Sequence, residues 1–95
     1  MTNLDLLRET TAVMDAYSGG RTSFDELQAK FQSVMSLMER RPETTLAAEA
    51  IAAAEADLEY IRFMVFGDDV PGAVAEVLDR LRPQLEDAGR SPGEP

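Results

Sequence analysis

The chain has 95 residues, 44% of them apolar, and a formal net charge of −9 with neither cysteine nor histidine. That length suits one domain with a modest core, and the apolar share rules out a wholly disordered chain. Disulfides and thiolate metal sites are excluded, the commonest general base is missing, and the acidic balance disfavours phosphate backbones and anionic membranes while favouring basic partners.

The N-terminal stretch MTNLDLLRET carries an early acid and no basic leader, so it does not read as a secretory signal. No apolar run approaches a membrane span. A cytoplasmic protein is the expectation.

The first predicted helix runs from about Leu4 to Tyr17. Asn3 is the expected N-cap and Asp5 suits the first turn. Leu6, Leu7, Thr10, Val13, Met14 and Tyr17 fall at helical spacing, and Ser18-Gly19-Gly20 stops the helix. The second opens with Ser23-Phe24-Asp25-Glu26, a capping box of S-x-x-E form. Phe24, Leu27, Phe31, Val34, Met35 and Met38 share a face, and the helix is expected to reach about Glu39 before the turn Arg40-Arg41-Pro42.

The third runs from Pro42 or Thr44 to Phe66 and is dense in alanine, a strong helix former. Leu46, Ala47, Ala50, Ile51, Ala54, Leu58, Ile61, Met64 and Val65 form its broad inward face. The stretch YIRFMVF is rich in strand formers, but nothing else in the chain reads as a pairing strand. The fourth follows Gly67, with Asp69 as its cap and Pro71 tolerated in the first turn. Val70, Val74, Val77, Leu78 and Leu81 make its stripe. Pro83 is expected to end or kink it, Leu85 to sit on a short final turn, and residues Gly89 to Pro95 to form a flexible tail. The predicted fold is all-α: a four-helix antiparallel bundle over residues 1–88, joined by short turns.

No metalloprotease, phosphate-loop or calcium-loop pattern occurs. Gly19-Gly20-Arg21 is explained by the helix stop. Asp68-Asp69 is the most crowded carboxylate pair, yet a cap with a solvated neighbour accounts for it better than acid–base chemistry does. A non-enzyme with no cofactor and no metal is expected.

Charge is unevenly spread. Residues 43–69 hold seven acids and one base, Arg62, a net of −6. Glu55, Glu59 and Arg62 lie away from the apolar stripe. Asp57 falls at its edge, to be paired with a base from another helix or left at a solvent rim. Phe63 and Phe66 point off the stripe with Tyr60 at its border. Cover by the fourth helix or its loop is the preferred reading for these rings, and docking of a partner the competing one. Met35, Met38 and Met64 are read as gap-filling core.

The stretch MDAYSGGRTSFDELQAKF, residues 14 to 31, resembles the front half of the colicin D immunity-like family of small acidic helical proteins. The matching positions are Tyr17, Gly19 or Gly20, Ser23, Phe24, Leu27 and Phe31. Thr22 stands where an aliphatic residue is usual. Gly67-Asp68-Asp69 and the helix carrying Val70, Val74, Val77 and Leu78 match the layout of the back half more loosely. The resemblance implies a bacteriocin immunity protein, which binds the catalytic domain of a nuclease toxin, often a tRNA-cleaving one, and covers its basic cleft with acids. Glu55, Asp57, Glu59, Asp68 and Asp69 would supply the charge, and Tyr60 or Phe63 the apolar anchor. The alternative is a structural or adaptor bundle that self-associates through exposed aromatics or scaffolds a partner. Monomer and dimer are both left open, with no direct contact to nucleic acid or membrane.

Overall fold

The computed structural model describes residues 2–89. Four helices follow one another: α1 (Asn3–Ser18), α2 (Phe24–Leu37), α3 (Thr45–Met64) and α4 (Asp69–Gly89), with a single 3₁₀ turn, Pro42–Thr44, leading into α3. Each helix packs on its chain neighbours and α4 closes back on α1, giving an antiparallel four-helix bundle. Gly89, expected to open the tail, is instead the last helical residue of α4; residues 90–95 of the expected tail lie outside the described residues.

Capping differs from the expectation at α1. Thr2, not Asn3, is the N-cap. Its hydroxyl accepts from the Asp5 N–H at 3.1 Å and its own N–H donates to the Asp5 carboxylate at 3.1 Å, a complete capping box. That leaves Asn3 free for a long-range task. Its Nδ2 donates to the Glu39 carbonyl at 2.8 Å and to the Thr44 hydroxyl at 2.9 Å, while its Oδ1 accepts from the Glu39 N–H at 2.9 Å. The start of α1 is thereby tied to the link between α2 and α3.

The same contact explains why α2 stops at Leu37 rather than Glu39. Met38 turns extended (φ −68°, ψ 129°), and the Glu39 N–H that would have continued the helix is held by Asn3. At the other end of α2, Ser23 caps Glu26 as expected. The Glu26 carboxylate accepts instead from Thr22, at 2.8 Å, so only half of the box forms.

α3 is shorter than expected at both ends. Pro42 opens the 3₁₀ turn, in which the Arg41 carbonyl accepts from the Thr44 N–H and the Thr45 hydroxyl. At the far end Val65 is extended and Gly67 sits at φ +62°, a conformation that suits glycine. Phe66 therefore falls in the link. Asp69 is the first helical residue of α4 rather than its cap.

Pro83 neither ends nor interrupts α4, which runs on to Gly89. A proline removes one helical hydrogen bond and crowds the carbonyl four residues back. Here both Pro83 and Asp79 face solvent, so water can satisfy that carbonyl. Leu81 and Leu85, on either side of it, are buried and hold the last turns against the bundle.

The core joins Leu6, Leu7 and Met14 of α1, Leu27, Phe31 and Val34 of α2, Ile51, Leu58 and Ile61 of α3, and Val74, Leu78 and Leu81 of α4. Thr10 is also buried; its hydroxyl donates back to the Leu6 carbonyl at 2.8 Å. Leu46 and Met64, expected in the core face of α3, are instead among the most exposed apolar residues. Met35 is exposed too, and of the three methionines read as gap-filling core only Met38 packs, half-buried, against the core. Among the described residues no buried side-chain nitrogen or oxygen lacks a partner. No helix among them is long and apolar enough to cross a membrane.

Candidate functional site

α3 carries four of the seven acids of residues 43–69, and the structure distributes the candidate residues over three surfaces. Seen down α3, Glu55 and Glu59 lie toward α2, Asp57 toward α4, and Tyr60 and Phe63 straight outward.

On the α2 side the organising residue is Gln28, which the sequence reading passed over. It sits on the apolar stripe beside Leu27 and Phe31 and is 3% exposed. Its Nε2 donates to the Glu55 carboxylate at 3.1 Å and to the Glu59 carboxylate at 2.5 Å, and its Oε1 accepts from Arg62 Nε at 2.8 Å. Arg62 then reaches Asp25 at 2.7 Å and lies over the Phe24 ring, 4.8 Å from its centroid. Glu55 and Glu59 are thus members of an internal polar network. A polar residue inside an otherwise apolar stripe was the available signal.

On the α4 side Asp57 faces Arg80 at 3.6 Å, both half or more exposed. A base from another helix does accompany this carboxylate. An exposed pair of this kind contributes about 0–1 kcal/mol.

The outward surface is different. Tyr60 is 63% exposed, Phe63 64%, Met64 60% and Phe66 75%. Neither α4 nor the loop covers these rings, contrary to the preferred reading of the sequence, because α3 ends at Met64 and the link leads straight into α4. Asp68 and Asp69 follow immediately and are exposed. Their carboxylates make no ion pair or hydrogen bond among the described residues. Rings that offer apolar area beside free negative charge can anchor a protein surface that brings positive charge of its own.

Leu46, 80% exposed, extends this face toward the start of α3. There the helix stands as a ridge between two open grooves. One, of about 510 Å³, runs along α4 and is lined by Pro42, Glu43, Leu46, Ala53, Gln84 and Ala88 among others. The other, of about 530 Å³, runs along the end of α2 and includes Met35, Met38, Thr45, Ala48 and Ala52. Among the described residues no group of three or more carboxylates is placed to hold a metal ion.

Comparison with family models, with curated proteins and with solved structures finds no match to this chain. These comparisons neither support nor oppose the resemblance carried by residues 14 to 31.

Proposed function

We propose that this bundle is an inhibitor-type binding protein that docks a basic protein partner through the C-terminal end of α3 and the link to α4. The observation that carries the reading is the exposed cluster of Tyr60, Phe63 and Phe66 next to the unpartnered Asp68 and Asp69. Tyr60 and Phe63, exposed on a rigid helix, supply contact area at little entropic cost. The carboxylates, together with a chain charge of −9, steer a basic partner and discriminate against acidic ones.

Glu55, Glu59 and Asp57 take a secondary part in this reading. Accepting from Gln28, or facing Arg80, they have part of their charge engaged within the chain and add to the field. Within the class of basic partners, a tRNA-cleaving toxin domain suits the resemblance to immunity proteins. Its cleft must be positive to hold phosphates, so an acidic surface can occupy it. The inhibitor needs no catalytic residue for that.

The test is binding of the chain to basic nuclease toxin domains, read by interferometry across a salt series. The reading expects an affinity that falls steadily up to about 0.5 M salt. It also expects loss of binding on the combined change Tyr60→Ala, Phe63→Ala, Asp68→Lys and Asp69→Lys. Equal binding by that variant would reject the surface, and the absence of any basic protein ligand would reject the function.

A further inference from the structure

The outward face of α3 has a symmetry in its sequence. Leu46 and Phe63 lie equally far from the midpoint between Ala54 and Glu55; so do Glu49 and Tyr60, and so do Ala53 and Ala56. All six are exposed. Large apolar residues stand at both ends, alanines in the middle, and a carboxylate on one side answers a phenol on the other.

We propose that this face is a two-fold interface whose occupant is a second copy of the chain, its α3 running antiparallel. A two-fold contact requires that residue i meet residue j while j meets i. With the axis between Ala54 and Glu55, that rule sets Leu46 against Phe63, Glu49 against Tyr60 and Ala53 against Ala56. The two α3 helices approach most closely at Ala53 and Ala56, where small side chains permit it. Glu49, the one carboxylate on the centre of the face, meets the second copy's Tyr60, whose hydroxyl can donate to it.

The grooves supply an independent argument. Phe63 and Met64 diverge by about 100° around the helix, so they straddle the opposing ridge. In the antiparallel register they arrive over the first half of the other α3, where one groove of about 510 Å³ and one of about 530 Å³ lie on either side of the ridge. Two divergent knobs meet two flanking holes.

The area is adequate. Tyr60 and Phe63, 63% and 64% exposed, carry roughly 270 Å², and Leu46 and Met64 together add roughly 250 Å². That makes roughly 500 Å² per copy and roughly 1,000 Å² in all, the size a specific interface needs. Each copy carries −9, so salt strengthens this contact by screening repulsion, whereas salt weakens docking of a basic partner. The inference does not rest on the partner-binding reading. Because Tyr60 and Phe63 serve both, a partner and a second copy exclude each other.

The experiment is sedimentation equilibrium of the full chain from about 1 µM to about 1 mM at low and high salt. The expected result is a species of twice the 10.4 kDa monomer mass, favoured at high salt. Ala56→Glu, on the exposed face, should weaken the dimer about 100-fold while the helical circular dichroism is unchanged. Register is read by cross-linking, since the chain has no cysteine. Leu46→Cys with Phe63→Cys should link two copies through a short bis-maleimide, which cannot span the roughly 25 Å between these positions in one chain. Either single variant should not cross-link. A monomer at about 1 mM, an Ala56→Glu dimer of unchanged strength, or cross-linking by the single variants would each overturn the proposal. Partner binding that persists without a dimer leaves the function standing, and a dimer without partner binding removes the function alone.

Discussion

Arg62 Nε donates a 2.8 Å hydrogen bond to Oε1 of Gln28, which orients the amide whose Nε2 ties Glu55 and Glu59 of α3 to α2. Gln28 is buried, and its amide satisfies Glu55 and Glu59 with one end and Arg62 with the other. Replacing it by alanine removes the shared donor from two neighbouring carboxylates and leaves Arg62 Nε without its acceptor. Hydrogen bonds to charged groups are worth about 1.5–3 kcal/mol, and these are coupled rather than additive. Gln28→Ala is expected to lower unfolding free energy by about 2 kcal/mol, read from urea melts. A loss within about 0.5 kcal/mol, the level of an ordinary surface change, would show the network to be ornamental.

Asn3 offers a second test of a long-range polar contact. Its carboxamide holds the Glu39 N–H, the Glu39 carbonyl and the Thr44 hydroxyl, and so positions the link on which α3 starts. Asn3→Ala is expected to cost about 1–2 kcal/mol. Thr2→Ala, which removes only the cap, is expected to cost about 1 kcal/mol. Hydrogen exchange separates the two. The Glu39 amide should lose protection in Asn3→Ala and keep it in Thr2→Ala.

These two contacts mark the boundary of what a single sequence discloses here. The four helices were legible because Leu27, Phe31 and Val34, or Val74, Val77, Leu78 and Leu81, recur at helical spacing between clear glycine and proline breaks. The role of Asn3 was not, since its partners lie 36 and 41 residues away. α3 misled for another reason. It is apolar round most of its circumference, so Leu46 and Met64, at the edge of a wide arc, could be assigned to either side. The helix wheel placed Phe63 and Phe66 off the stripe, but only the packing, which leaves the outward side of α3 and the link after it uncovered, shows them exposed. Of the candidate site, Asp68 and Asp69 kept the exposure expected of them. Glu55 and Glu59 proved to be bound to a glutamine whose burial the stripe had already hinted at.

Phenylalanines on the two sides of the bundle should respond oppositely to truncation. Phe31 is fully buried at the centre of the core, so Phe31→Ala is expected to cost about 3–5 kcal/mol through lost transfer energy and a cavity. Phe63 is 64% exposed, so Phe63→Ala should stay within about 0.5 kcal/mol when the dilute protein is melted in urea. A large loss at Phe63 would mean that the ring packs within its own chain, and the outward surface would lose its anchor.

The cap of α1 makes stability depend on pH in a defined sense. The Asp5 carboxyl is held below the ordinary carboxylate range, chiefly by the Thr2 backbone N–H, then by the Thr2 hydroxyl, with a weaker contribution from Arg8. A carboxyl whose folded pKa lies below its unfolded value stabilises the fold above the unfolded value, about 3.9 for aspartate. That contribution disappears as pH falls through the folded value. Asp5→Ala should therefore melt below the native chain at neutral pH, and the gap between their Tm values should close as pH drops below about 4. Every other carboxylate is common to both proteins, so the difference isolates Asp5. A gap that persists undiminished in acid would mean that Asp5 acts through helix propensity or packing and not through its charge.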